Sequence, residues 1–130
     1  MPHISNQELD EYAEKAQAIL IKIAKRRTLI TYDTLMYKLG CGPGRELSGD
    51  IVRRVSELEL SEGRPKLSAV VIRGDTRTVG PGFFGLPGTP DHSSRSNSKE
   101  WNNPNITLEE REYWQNELKK VYDYWSKDFL

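Results

Sequence analysis

The chain has few of the residues that catalytic sites and disulfide-stabilised folds require. Its 130 residues include one cysteine, Cys41, and two histidines, His3 and His92. A single cysteine excludes an internal disulfide framework and a zinc site built on cysteines. Two distant histidines do not form a ligand set, so we expect no metal and no cofactor. Neither histidine is placed by the sequence near Cys41, which leaves the thiol without an activating base.

Long apolar runs and a net charge are also lacking. The longest apolar run, residues 18–21, is too short to cross a membrane, and the first residues have no basic and apolar signal pattern. The mean hydropathy is -0.68. We therefore expect a cytoplasmic protein of one domain, residues 1–130, with no membrane partner.

Zero net charge conceals an uneven distribution along the chain. Residues 1–21 carry a net charge of -3, residues 22–77 carry +5, and residues 78–130 carry -2. This pattern indicates a basic central segment between acidic ends, although ordinary solvated surfaces produce similar patterns.

Three helices are predicted in the first half of the chain. Ser5 and Glu8 form a capping box ahead of a helix that ends near Lys25–Arg27. A second, short helix is expected from the Thr31 cap to Leu39, where Gly40 ends it. After a tight connection, a third helix is expected over residues 46–60. The positions expected to be buried together across this connection are Leu35, Leu39, Ile51 and Val55.

The second half changes its pattern. Residues 67–72 are rich in β-branched side chains and predict a strand, which residues 76–84 are expected to follow antiparallel. Residues 85–105 are dominated by glycine, proline, serine and asparagine, which predicts a polar loop. Thr107 and Glu110 form a second capping box, so a helix is expected over residues 106–130.

This order of elements predicts an α+β fold of winged-helix type, with a core over residues 5–84 and an added C-terminal aromatic helix. The second and third helices would form the helix-turn-helix pair, and the hairpin near residues 67–84 would form the wing.

Residues 30–35, Ile-Thr-Tyr-Asp-Thr-Leu, carry a family resemblance. They resemble the Val/Ile-Thr-Tyr-Gly-Glu-Leu motif that opens the helix-turn-helix of alkylguanine-DNA alkyltransferases and alkyltransferase-like proteins. Gly40, a helix around residues 52–55, Pro65 and the pair Val70-Val71 follow in the same order as in that family. The resemblance covers about residues 28–84 and implies a winged-helix DNA-binding scaffold.

The chain departs from the family at the site of its chemistry. The family's alkyl transfer requires a Pro-Cys-His-Arg motif just before the strand, whereas residues 64–69 here read Arg-Pro-Lys-Leu-Ser-Ala. The resemblance therefore implies only the scaffold and no alkyl transfer, and we expect a protein that is not an enzyme.

Basic side chains provide the candidate nucleic-acid contacts. They are expected on the third helix, at its ends and on the wing, where helix-turn-helix proteins contact phosphates and groove edges. These residues are Arg45, Arg53, Arg54, Arg64, Lys66, Arg73 and Arg77. Acidic residues on the same helix would repel a DNA backbone: Glu46, Asp50, Glu57 and Glu59.

The last predicted helix is rich in aromatic residues. Its apolar stripe is expected to pack on the first helix, while its acidic residues are expected on an exposed stripe. Trp114 and Trp125 are the candidate anchors for a partner, because tryptophan is favoured in interfaces. Two functions remain open at this point. One is a DNA-binding or regulatory module, and the other is a protein-binding module, such as an immunity protein or a phage or bacterial inhibitor that acts by contact.

Overall fold

The computed structural model describes residues 5–41, 45–86 and 105–126. The first helix, α1 (Asn6–Lys25), lies at the centre of the fold and contacts every other described helix. Its capping box is formed as the sequence predicts: the Ser5 hydroxyl accepts from the Glu8 amide at 3.1 Å, and the Glu8 carboxylate accepts from the Ser5 amide at 3.3 Å. Small side chains let neighbouring elements approach its buried face, which consists of Ala13, Ala16, Leu20 and Ala24.

The next two helices also follow the sequence prediction. Helix α2 (Tyr32–Leu39) begins after the Thr31 cap and ends at Gly40, whose φ of 74° is left-handed. Helix α3 (Arg45–Ser61) ends shortly before Gly63, with a φ of 72°. Leu35, Ile51 and Val55 are fully buried, and Leu39 packs against the same cluster, so the expected core across the connection is confirmed. Residues 42–44 of that connection lie outside the described residues.

The sheet differs from the prediction. Strand β1 (Ile30–Thr31) pairs in parallel with strand β2 (Val71–Ile72), Ile30 opposite Val71. Residues 67–86 are all described and contain no antiparallel return, so the predicted β-hairpin wing is wrong. Pro81 begins a 3₁₀ turn, Pro81–Gly85, where the returning strand was expected. A proline cannot donate to a strand ladder, and this favours the turn.

A second 3₁₀ turn occupies part of the predicted strand over residues 67–72. Leu67–Val70 are in this turn, and all four residues are buried. A short apolar run does not distinguish a strand from a helical turn by period, because every side of the segment faces the core. Here α1, α3 and the last described helix surround it.

The last described helix, α4 (Leu108–Ser126), docks on α1 and on the Leu67–Val70 turn. Its predicted capping box is present, since the Thr107 hydroxyl accepts from the Glu110 amide at 3.1 Å. The fold is therefore α+β in the coarse sense: helices with a small two-stranded parallel sheet. The predicted polar loop, residues 85–105, lies largely outside the described residues, as do residues 127–130.

Candidate binding surface

A cavity of about 840 Å³ lies between α2, α3 and the loop that follows β2. This volume falls in the range of about 300–1,000 Å³ that is typical of ligand sites. Met36, Val52, Phe83 and Leu86 form a buried apolar wall. Tyr32 completes the wall from the start of α2.

The accessible rim of the cavity carries charges of both signs. Asp33, Asp50 and Asp75 contribute three carboxylates, and Arg53 and Arg73 contribute two guanidinium groups. Asp33 and Asp50 are exposed and make no ion pair among the described residues. The rim can therefore interact with ligand groups of either charge, and its uncompensated charge is negative.

Among the predicted nucleic-acid contacts whose side chains the structure describes, Arg53 and Arg77 are exposed. Arg53 lies on α3 with 54% of its side chain exposed, and its guanidinium is 3.7 Å from Glu57. Arg77 lies in the loop after β2 with a φ of 60°. Its amide donates to the carbonyl of Arg73 at 3.0 Å, which places these two arginines in one turn.

Arg54 and Arg64, by contrast, form ion pairs with other side chains of the protein. Arg54 forms an ion pair of 2.8 Å with Asp10, which links α3 to α1. Arg64 donates to Glu59, a carboxylate that is fully buried and also accepts from Gln17. The expectation that Glu59 repels a DNA backbone is therefore wrong, because Glu59 does not reach the surface.

Lys66 is buried and lies away from the cavity. Only 3% of its side chain is exposed, and its ammonium group donates to the Tyr113 hydroxyl at 2.6 Å and to Glu117 at 3.4 Å. Lys120 contacts the other oxygen of Glu117 at 2.8 Å. A phosphate cannot reach Lys66 in this conformation, so the structure gives it a packing role rather than the predicted contact with nucleic acid.

Burial and these two lysines act in opposite directions on Glu117. Burial raises the pKa of this carboxyl, whereas Lys120 and Lys66 lower it, and the net shift is downward. The expectation that the acidic residues of the last helix lie on an exposed stripe is wrong for Glu117 and for Glu110, which is also buried.

Arg73 is held by a neighbour at the rim of the cavity. Its guanidinium donates to both oxygens of Asp75, at 2.9 and 2.8 Å. The remaining predicted contact, Arg45, begins α3, and its side chain lies outside the described part of the chain.

The two predicted partner anchors differ in their surroundings. Trp114 is 4% exposed, and its indole donates to the carbonyl of Ala69 at 2.8 Å. It is therefore a core residue and not available to a partner. Trp125 is half-buried near the end of α4 and lies beside the Arg64 guanidinium, 5.9 Å from the ring centroid.

Sequence reasoning missed most of the cavity wall. In the sequence, Tyr32 stood out only as part of the family motif. In the structure its ring packs against Gly80, so closely that a Cβ atom on residue 80 would lie 3.4 Å from the tyrosine hydroxyl. Burial raises the pKa of Tyr32, while Arg73 and the Gly80 amide act to lower it. The aromatic pair Phe83-Phe84 within a glycine- and proline-rich segment was the available signal, because binding residues occur disproportionately on loops.

Comparisons with protein-family models, with curated proteins and with solved structures returned no match to this chain.

Among the described residues, no group of three or more histidine, cysteine or acidic side chains converges as a metal site. Within the same ranges, no helix is both long enough and apolar enough to cross a bilayer. Cys41 is half-buried at the end of a described range, and both histidines lie outside the described residues.

Proposed function

We propose that this chain is a non-catalytic binding module of helix-turn-helix type that binds duplex DNA through α3 and the loop after β2. The observation that carries the proposal is Arg53, which is exposed on α3 at the rim of a ligand-sized cavity. Arg77, in the adjoining loop, is exposed as well. Exposed guanidinium groups on and beside the second helix of a helix-turn-helix pair are suited to phosphate contacts.

The order of elements supports the same proposal. A strand between α1 and α2, the Gly40 stop and the burial of Leu35, Ile51 and Val55 in one core cluster fit the helix-turn-helix portion of the resembled family. The described loop after β2 lacks the wing strands, so a DNA contact there would come from a turn carrying Arg73 and Arg77.

A protein partner is the second candidate. Asp33 and Asp50 favour it, because two exposed and unpaired carboxylates beside the cavity repel phosphates and attract a basic side chain. Tyr37, 84% exposed on α2, adds an aromatic surface of the kind that protein interfaces use.

A salt titration with duplex DNA tests the main proposal. Each phosphate contact changes the slope of log K against log salt by about 0.9. The double variant Arg53→Ala and Arg77→Ala should therefore flatten the slope by roughly two and weaken binding to all sequences. Arg111→Ala, an exposed arginine on α4, is the matched control and should leave the slope unchanged.

The same titration decides between the two candidates. If the unaltered protein shows no salt-sensitive retention of any duplex at low ionic strength, the DNA proposal is wrong. The protein-binding candidate would then be the better account of this surface.

A further inference from the structure

The Arg73 guanidinium presents a two-pronged donor at the rim of the cavity, and a carboxylate already occupies it. Nε lies 2.9 Å from one oxygen of Asp75, and Nη2 lies 2.8 Å from the other. This fork geometry matches the oxygens of a phosphate as well as those of a carboxylate. The Arg73 guanidinium, which holds the Asp75 carboxylate, therefore has the geometry of an anion-binding site.

The two partners are anchored to different degrees. The backbone of Arg73 is fixed on both sides, since its amide donates to the Thr78 carbonyl at 2.8 Å and its carbonyl accepts from Arg77. The side chain of Asp75 is 59% exposed, whereas that of Arg73 is 28% exposed. Exposed ion pairs contribute little to stability, so an anion that displaces the Asp75 carboxylate has to offset a weak ion pair and one hydrogen bond from the Thr76 amide, while Arg73 keeps its place.

A second arginine, Arg77, follows four residues after Arg73 in the sequence. Arg77 belongs to the same turn, is exposed, and makes no ion pair among the described residues. The Arg73 contact lowers the pKa of the Asp75 carboxyl from its usual value of 3.8 to about 2. The carboxylate stays charged at neutral pH and competes with any incoming anion.

We propose that the Arg73 fork is a phosphate-binding site and that Asp75 occupies it as a built-in competitor in the free protein. The biological source, a phosphodiester of duplex DNA, rests on the proposed function. The anion site itself does not, because its chemistry also suits free phosphate.

The test removes the charge of Asp75 and keeps its shape. Asp75→Asn retains the oxygen that accepts from the Thr76 amide at 2.8 Å, so the turn is preserved. Inorganic phosphate is titrated against the protein, with the ¹⁵Nε resonance of Arg73 as the readout. We expect the variant to bind phosphate roughly tenfold more tightly than the unaltered protein. Asp123→Asn is the matched control, because it removes an exposed carboxylate of α4 that pairs with Arg27 and Lys119, and it should have no effect.

A second substitution assigns the gain to Arg73. In the Asp75→Asn background, Arg73→Ala should abolish the added phosphate affinity, whereas in the unaltered protein it should change phosphate binding very little. An unresponsive Arg73 resonance in Asp75→Asn, with the fold intact by circular dichroism, would overturn the proposal.

Duplex DNA is the second arm and separates the two sources of phosphate. Asp75→Asn should steepen the salt slope for DNA by about one, because one more phosphate is contacted. Phosphate binding at Arg73 without any DNA binding would support the anion site and refute the proposed function.

Discussion

The chemistry of Glu117 depends on a distant part of the chain. It is 8% exposed on α4 and lies between Lys66, which comes from the segment after α3, and Lys120, one turn further along its own helix. Removing one member of a buried ion pair is costly, because the remaining charge has no compensation. The pair therefore specifies where α4 docks as well as contributing to stability.

The lowered pKa of Glu117 makes its contribution dependent on pH. A carboxyl whose pKa is lower in the folded state stabilises the protein above its unfolded pKa, near 4.5, and loses this effect as pH falls through the folded value. We expect the free energy of unfolding in urea to decline as pH drops below 4.5. Glu117→Gln should cost about 3 kcal/mol at neutral pH and flatten this decline. The exposed Glu109→Gln is the control, and an equal pH dependence in both variants would contradict the assignment.

Helix α4 is the element whose role the sequence left most open. Its docking is visible in Trp114, which is buried and bonded to the Ala69 carbonyl, and in Val121, which is fully buried. The Tyr122 hydroxyl donates to the carbonyl of Thr28 at 2.7 Å, which fixes the far end of the helix. The described part of α4 is thus a structural component of the core.

Replacement of Trp114 tests this docking. Trp114→Ala should destabilise the protein by about 3–5 kcal/mol, because it removes a large buried side chain. Trp114→Phe keeps most of the apolar area but leaves the Ala69 carbonyl without its donor, so a smaller loss is expected. Unfolding followed by circular dichroism measures both, with the exposed Tyr37→Ala as the control. Substitutions at surface positions usually change the free energy of unfolding by less than about 0.5 kcal/mol. A decrease that small in Trp114→Ala would mean that α4 serves a partner instead.

At the scale of the whole molecule, the sequence predicted the features that are set by residues close together in the chain, such as the ends of helices. The Ser5 and Thr107 caps and the Gly40 stop were readable because each acts within one helical turn. The packing of the last helix on α1 was also readable, from its apolar stripe, but strand partners and polar pairs between distant segments were not. The strand at Val71 pairs with β1 rather than with the residues after it, and Lys66 meets a carboxylate 51 positions away. Charge counts therefore overestimated the basic surface.

The parallel pairing of β1 with β2 has a consequence for the order of folding. Ile30 and Val71 are about 40 residues apart in sequence, and closing so long a loop is entropically unfavourable until other contacts offset it. Helices α2 and α3 form the connection, so their formation shortens the loop that the strand pair has to close. In pulsed hydrogen exchange during refolding, amides within α1 and α3 should gain protection before those of the strand pair. Earlier protection of the strands would show that the sheet nucleates folding.

The Arg73 turn follows β2 directly in the sequence. We therefore expect this turn to reach its native position among the last parts of the chain, so a nascent or partly unfolded molecule would lack it.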